Sequence, residues 1–286
     1  MKKTILVLTC LITAAFSFCQ TAMPKTISTG KILLSDGQKI IAASTISIDA
    51  DLSNGMELHS SYTTENALEV KTSTDKNYTV TSTLTKLKVN FNMMGQATNY
   101  DSEKNEAPSS EVEKSFADRL NKPVDVILDN STGQATLSQK KEKNEEVDNE
   151  NPVDGMLKMF SESSDDGVVS GAFKLVPQGK NVGDQWADTT TEKDQKTIRT
   201  YTLKSVSGND ALIQLDIVTT ANTKLDMQGM EFEIKTTTKT SGDITTDINT
   251  GLLKTKNTKS EITGSLQLMG QDVPISATVN TTNTYK

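Results

Sequence analysis

Strict alternation of apolar and polar residues recurs from one end of this chain to the other, and it narrows what the chain can become. Ile46, Ile48, Ala50 and Leu52 alternate with Ser47, Asp49 and Asp51, and Leu87, Val89, Phe91 and Met93 alternate with Lys88, Asn90 and Asn92. Ala211, Ile213, Leu215 and Ile217 share one face; so do Ile262, Gly264, Leu266 and Leu268, and again Val273, Ile275, Ala277 and Val279. A period of two puts apolar side chains on one side of a strand and Thr, Ser, Lys or Asp on the other. That is the pattern of antiparallel sheet packed on one face and wet on the other. Turn residues fall between the runs at Asp36-Gly37, Asn54-Gly55, Gly208-Asn209 and Ser241-Gly242-Asp243, where Gly supplies positive φ and Asn or Asp caps the backbone. The expected fold is mainly β: two related antiparallel β units, as curved sheets or open barrels, with one or two short helices.

The first nineteen residues follow a different rule. Lys2 and Lys3 precede an apolar run from Ile5 to Phe18, and Ser17 and Cys19 have the small-residue spacing of a cleavage site before Gln20. This is the layout of a secretory signal peptide, and the run is shorter than the roughly 20 residues a membrane span requires. The expectation is an exported protein, periplasmic or secreted, with no transmembrane segment once residues 1–19 are removed. The alternative is a lipid anchor through Cys19, which Phe18 and Phe16 disfavour because that processing expects a small and an aliphatic residue in their places. The only two cysteines, Cys10 and Cys19, lie within this leader, so the mature chain must be held by a packed core without disulfides. Losing Lys2 and Lys3 moves the formal charge from −7 to −9, which opposes charge-driven binding to nucleic acid. Apolar residues make up 34% of the chain and aromatics 5%, so the core is thin for this length.

Two stretches leave the alternation. Ser110 to Asn121 has a capping-box spacing at Ser110 and Glu113, Val112, Phe116 and Leu120 on one face, and Pro123 as a stop, which predicts a helix over about 110–121. Val153, Met156, Leu157 and Phe160 share a second helical face, preceded by the charged run Lys140 to Glu150; Ser161 to Asp166 reads as a polar loop. The expected organisation is a signal peptide (1–19), an N-terminal β unit (20–137), a charged and helical connector (138–170) and a C-terminal β unit (171–286). The two units echo each other. Met94-Gly95-Gln96 and Asp129-Asn130-Ser131-Thr132-Gly133 in the first correspond to Met227-Gln228-Gly229 and Asp247-Ile248-Asn249-Thr250-Gly251 in the second.

Together with Tyr100-Asp101-Ser102, Gly183-Asp184-Gln185-Trp186, Tyr201 to Asn209 and Met269-Gly270-Gln271-Asp272-Val273-Pro274, these elements resemble a family of secreted proteins from Gram-negative bacteria classed as a domain of unknown function. The resemblance covers most of the mature chain and is strongest from about Lys174 onwards. Ile40 stands where the family pattern would place an aromatic residue. The resemblance implies a secreted, all-β protein and carries over no catalytic or binding residue.

Chemistry-bearing constellations are sparse. His59 is the sole histidine, and a zinc site without cysteine or a second histidine would be nearly all carboxylate. Asp49, Asp51 and Ser53 open like a calcium loop, but Asn54 and Ser60 occupy the places where that loop needs Gly and Glu. No Gly-x-Ser-x-Gly elbow occurs. We therefore expect no catalytic residues, no metal, no cofactor and no enzyme, with a carboxylate-based hydrolase as the weakest reading. Methionine is the remaining feature: Met93, Met94, Met227, Met230 and Met269 lie in or beside strands near the repeated turns. Methionine fills irregular cores and also lines adaptable apolar surfaces. With Trp186, those five form the candidate ligand site for an apolar or extended ligand such as a lipid. The alternative is a structural module that pairs with another envelope protein.

Overall fold

The computed structural model describes residues 30–51, 57–93, 96–104, 107–138, 165–192, 194–227, 230–268 and 271–286. Its strands are β1 (Lys39–Asp51), β2 (Glu57–Ser73), β3 (Asn77–Met93), β4 (Gln96–Asp101), β5 (Pro123–Asp129), β6 (Ala135–Leu137), β7 (Gln185–Glu192), β8 (Gln195–Ser207), β9 (Asp210–Met227), β10 (Met230–Asp247), β11 (Leu253–Leu268) and β12 (Gln271–Tyr285). The helices are α1 (Glu111–Ala117) and α2 (Asp165–Gly171). All the strands join one curved, open antiparallel sheet in the order β6-β5-β3-β2-β1-β12-β11-β10-β9-β8-β7, with β4 also on β3. The two runs of strands thus share one sheet, joined where β1 pairs with β12 from Ala42↔Tyr285 to Asp51↔Ser276.

The echo between the runs is visible in the pairing. β4 lies along the second half of β3 and β5 along its first half, so together they take the place that the unbroken β10 takes beside β9. Helix α1 sits in the interruption. Its N-cap Ser110 accepts from the Glu113 amide, while the Glu113 carboxylate turns back to the amide of Ser109 at 2.6 Å. That is the anticipated cap with its second arm moved by one residue. Phe116 carries the helix into the core, fully buried.

One face of the sheet holds the core, in three groups. Ile40, Ala42, Leu68, Val80, Val126 and Leu128 pack with Val169 and Ala172 of α2 and its neighbourhood. Ile48, Leu58, Leu87 and Val89 pack under Phe116. Tyr201, Leu203, Ile213, Leu215 and Ile244 form the third group. The alternations read from sequence at Ile46–Ala50, Leu87–Phe91 and Ala211–Leu215 are all inward-facing and buried.

Two readings need correction. Ser241-Gly242-Asp243 is no turn: it lies within β10, and Gly242 does not have positive φ. Glycine is needed there because a Cβ would strike the carbonyl oxygen of Asn257 on β11, and a Cβ on Gly264 would strike that of Lys235 on β10. Both are points where a curved sheet brings neighbouring backbones unusually close. Asp165–Gly171 forms a helix partly inside what reads as a polar loop, because two glycines in seven residues hide its periodicity. The predicted helix at Val153–Phe160 and the turn at Asn54-Gly55 lie outside the described residues. No helix among the described residues is long and apolar enough to cross a membrane.

Candidate functional site

The site is framed by a closed end and an opposite end of hairpin tips. At the closed end the two Asp-x-x-Thr-Gly elements form the same corner twice. Asp129 accepts from the amides of Ser131 (2.9 Å) and Thr132 (2.8 Å), and Asp247 from those of Asn249 and Thr250 (both 2.9 Å). Gly133 and Gly251 then take φ of 74° and 73°, a conformation open to glycine at no steric penalty. Ile32 ties the two together. Its amide donates to the Asn130 carbonyl at 2.7 Å, the next amide, of Leu33, donates to Thr250 at 3.2 Å, and its side chain is fully buried between the corners. Tyr285 closes the same end by donating to the Gly171 carbonyl of α2 at 2.9 Å.

Beyond that closure lies a half-open trough of about 260 Å³ on the inner face of β1, β12, β11, β10 and β9, floored partly by α2. Its lining is mixed. Ile46, Ile217, Ile262 and Val279 share it with Ser44, Thr238, Thr240, Thr258, Ser260, Thr281 and Asn283. Some of the hydroxyls satisfy each other, as Thr240 and Ser260 do at 2.7 Å. The Asn283 Oδ1 is different: it is buried and has no hydrogen-bond partner. A buried acceptor left unpaired costs about 1–3 kcal/mol, so the position is poised for a donor. Directly across the ladder from Asn283 stands Lys256, half-buried on the trough wall and in no ion pair with any described carboxylate.

A cationic cluster adjoins this wall. The Lys174 ammonium sits 3.4 Å from the centroid of the Tyr201 ring, and that ring stacks on Trp186 at 5.5 Å. Lys174 is 3.8 Å from the Asp188 carboxylate, which Arg199 holds at 3.1 Å. Burial holds the Lys174 amine down at about 8; Asp188 works against this, while the nearby cations Arg199 and Lys256 lower it further. In this cluster, among the described residues, three cations meet one carboxylate on the inner face of a chain that is acidic overall.

Of the six residues read from sequence, Trp186 is described in full, as an anchor against Tyr201 in the third core group. Met93 pairs with Leu58 and Gln96, and Met227 with Met230, at hairpin ends on the side of the sheet away from the corners. Met94 and Met269 lie outside the described residues. The trough's described lining comes from other residues. Lys256 escaped notice because a register shift opposite Thr245/Thr246 sends both Leu253 and Lys256 inward, which strict alternation does not foresee. Asn283 gave no signal, since asparagine on a strand reads as a solvent-facing residue.

His59 stands on the outer face, bonded to Asp49 at 2.8 Å with Glu57 at 3.6 Å. The hydrogen bond to Asp49 raises its pKa. Among the described residues no group of three His, Cys, Asp or Glu side chains is arranged to hold a metal. The carboxylates whose ionisation is shifted (Glu69, Asp101, Asp129 and Glu261) are all held below their usual range by hydrogen bonds.

The family of unknown function DUF6263 matches residues 75–253. The chain belongs to that family. No curated protein matches it. Among solved structures it is similar to lipovitellin, in a study of lipid–protein interactions in that protein, at TM-score 0.45 and 11% identity. The match covers 89% of this chain and 25% of that one, so the chain spans about a quarter of lipovitellin. It is also similar to DynF from the dynemicin biosynthesis pathway of Micromonospora chersina (TM-score 0.24, 9% identity, 92% of this chain and 89% of that one). A third match is an outer membrane channel from Pseudomonas putida F1 (TM-score 0.24, 7% identity, 89% and 97%).

Proposed function

We propose that the protein is an exported, non-enzymatic binding protein of the cell envelope that takes an amphipathic small molecule into the trough between β1 and β9. The observation that carries this reading is the trough itself: about 260 Å³ beside a buried amide oxygen with no partner. Ligand pockets span roughly 300–1,000 Å³, so the occupant is small. Three features of the wall support a ligand rather than further core. It mixes aliphatic and hydroxyl groups, it retains an unsatisfied acceptor, and among the described elements α2 covers it only in part. The leader-like residues 1–19 support export, and the Met-bearing hairpin ends stand beyond the trough on the side away from the closed corners.

Native mass spectrometry of residues 20–286 purified from a bacterial periplasm tests this. The expected result is a reproducible adduct that denaturation removes, and that Thr281→Phe, which fills the trough, abolishes in a folded variant. A chain at its bare mass, with Thr281→Phe indistinguishable from wild type, would sink the reading.

A further inference from the structure

The wall of the trough says which end of the ligand is charged. Lys256 and Asn283 are register partners on β11 and β12, so their side chains start about 5 Å apart on one face. One is an ammonium that no described carboxylate neutralises; the other is a buried oxygen that needs a donor. Behind them Lys174 and Arg199 add two cations against the single carboxylate of Asp188. That carboxylate is held by Arg199, which also donates to Thr190 at 3.0 Å. The local excess of positive charge lies inside the concave face of an otherwise acidic protein, where screening by solvent is weaker than at the surface.

We propose that the trough recognises an amphipathic carboxylate, whose anionic group meets Lys256 while a hydroxyl close to it donates to Asn283 Oδ1. The aliphatic part then runs along Ile46, Val279, Ile262 and Ile217, among the threonines. This rests on the binding reading above and specifies its ligand class. A cationic or neutral amphiphile would leave Lys256 desolvated without a counter-charge, and charge-assisted hydrogen bonds are the stronger kind. An anion lacking the hydroxyl would leave the amide oxygen unpaired.

The test is calorimetric titration of residues 20–286 with decanoate, decan-1-ol, decyltrimethylammonium and 3-hydroxydecanoate at pH 7. Decanoate should bind about tenfold or more tightly than decan-1-ol, the scale of one hydrogen bond to a charged group. 3-Hydroxydecanoate should bind about fivefold or more tightly again. Lys256→Met should erase the preference for decanoate over decan-1-ol while leaving decan-1-ol binding in place. Asn283→Leu should erase the gain from the hydroxyl alone. Equal binding of decanoate and decan-1-ol, or tighter binding of the ammonium compound, overturns the carboxylate assignment and leaves a binding trough. No heat and no displacement with any of the four removes the binding reading, and the carboxylate assignment with it. Because Lys256 forms no ion pair with a described carboxylate, Lys256→Met should unfold at the wild-type temperature. If it does not, the half-conservative Lys256→Gln supplies the same comparison in a folded chain.

Discussion

Lys174 gives the sharpest check on the electrostatics of the inner face. It is 22% exposed, packed on Tyr201, and held down to about 8 from the usual lysine value of 10.5. The folded protein therefore binds this proton more weakly than the unfolded chain does. Below pH 8 both states carry the charge and folding bears the full penalty, which at about 1.4 kcal/mol per pH unit comes to about 3 kcal/mol at pH 7. Between pH 8 and 10.5 the folded state loses the proton first, so stability rises with pH; integration gives a gain of about 2 kcal/mol by pH 9.5. His59, raised from 6.5 by its bond to Asp49, gives a contribution of opposite sign that is lost as pH rises through its folded value, so the comparison with Lys174→Met isolates the lysine. Tyr100, raised by burial, and Lys86 and Lys114, raised by their glutamate partners, weaken the fold only at higher pH. Lys174→Met should remove the slope. At pH 7 it should leave stability unchanged or higher by about 1–2 kcal/mol, since the relieved burial penalty exceeds a cation–π contact of about 0.5–2 kcal/mol and Asp188 keeps its pairing with Arg199. Urea unfolding from pH 7 to 9.5, followed by the fluorescence of Trp186 against Tyr201, reads this directly provided the slopes m stay constant. A wild-type stability that does not rise relative to Lys174→Met between pH 8 and 9.5, or a rise surviving in Lys174→Met, would refute the account of the inner face.

Other perturbations follow from the closed end and the sheet's close approaches. Ile32→Ala should lower stability by about 2–5 kcal/mol, the range for emptying a fully buried aliphatic site, while the neighbouring exposed Leu33→Ala should change it by less than about 0.5 kcal/mol; chemical denaturation separates the two. Gly242→Ala places a methyl against the Asn257 carbonyl and should destabilise by more than about 3 kcal/mol or prevent folding. Gly37→Ala, with φ of 77° but open space around it, should lose only about 1 kcal/mol. Asp129 is held at about 2 by its bonds to Ser131 and Thr132. Its folded pKa lies below the unfolded one, so it contributes stability above pH 4 that is lost as pH falls toward 2. Asp129→Ala should therefore flatten the acid limb of the pH profile and lower the thermal midpoint at pH 7.

The strands that sequence reveals are those whose inward positions are uniformly apolar. β1, the second half of β3 and the first half of β9 announce themselves through Ile46–Ala50, Leu87–Phe91 and Ala211–Ile217. β2 does not. Its inward positions are Leu58, Ser60, Tyr62, Thr64, Asn66, Leu68 and Val70, all buried, and three of the seven are polar in a way no periodicity count would accept. The paired corners were legible because Asp and Gly serve a local backbone need that any copy of the turn repeats. Their meeting around Ile32 was not, since that depends on how far the sheet curls. The trough shared this fate: Lys256 and Asn283 become neighbours only through the β11–β12 register, and a bulge opposite β10 decides that Lys256 points in. The methionines drew attention by composition, and the register places Met93, Met227 and Met230 at strand ends.

The polar middle of the concave face is the feature that stability alone does not explain. On either side of it the inner face carries larger apolar groups, with Leu58, Leu87 and Val89 beneath α1 on one flank, interspersed with Ser60, Thr64 and Asn66 of β2, and Tyr201, Leu203 and Ile213 on the other. Between them, the inner positions of β10, β11 and β12 are Thr238, Thr240, Thr258, Ser260, Thr281 and Asn283, with glycines at 242 and 264. Valine matches threonine in shape and has higher strand preference than asparagine, so an apolar middle was available to a chain of this fold. It would have buried more surface at about 25 cal/mol per Å² and left no orphaned amide oxygen. That the sheet forgoes this gain over β10, β11 and β12, and sets an ammonium beside the unpaired acceptor, is what supports the binding reading proposed above.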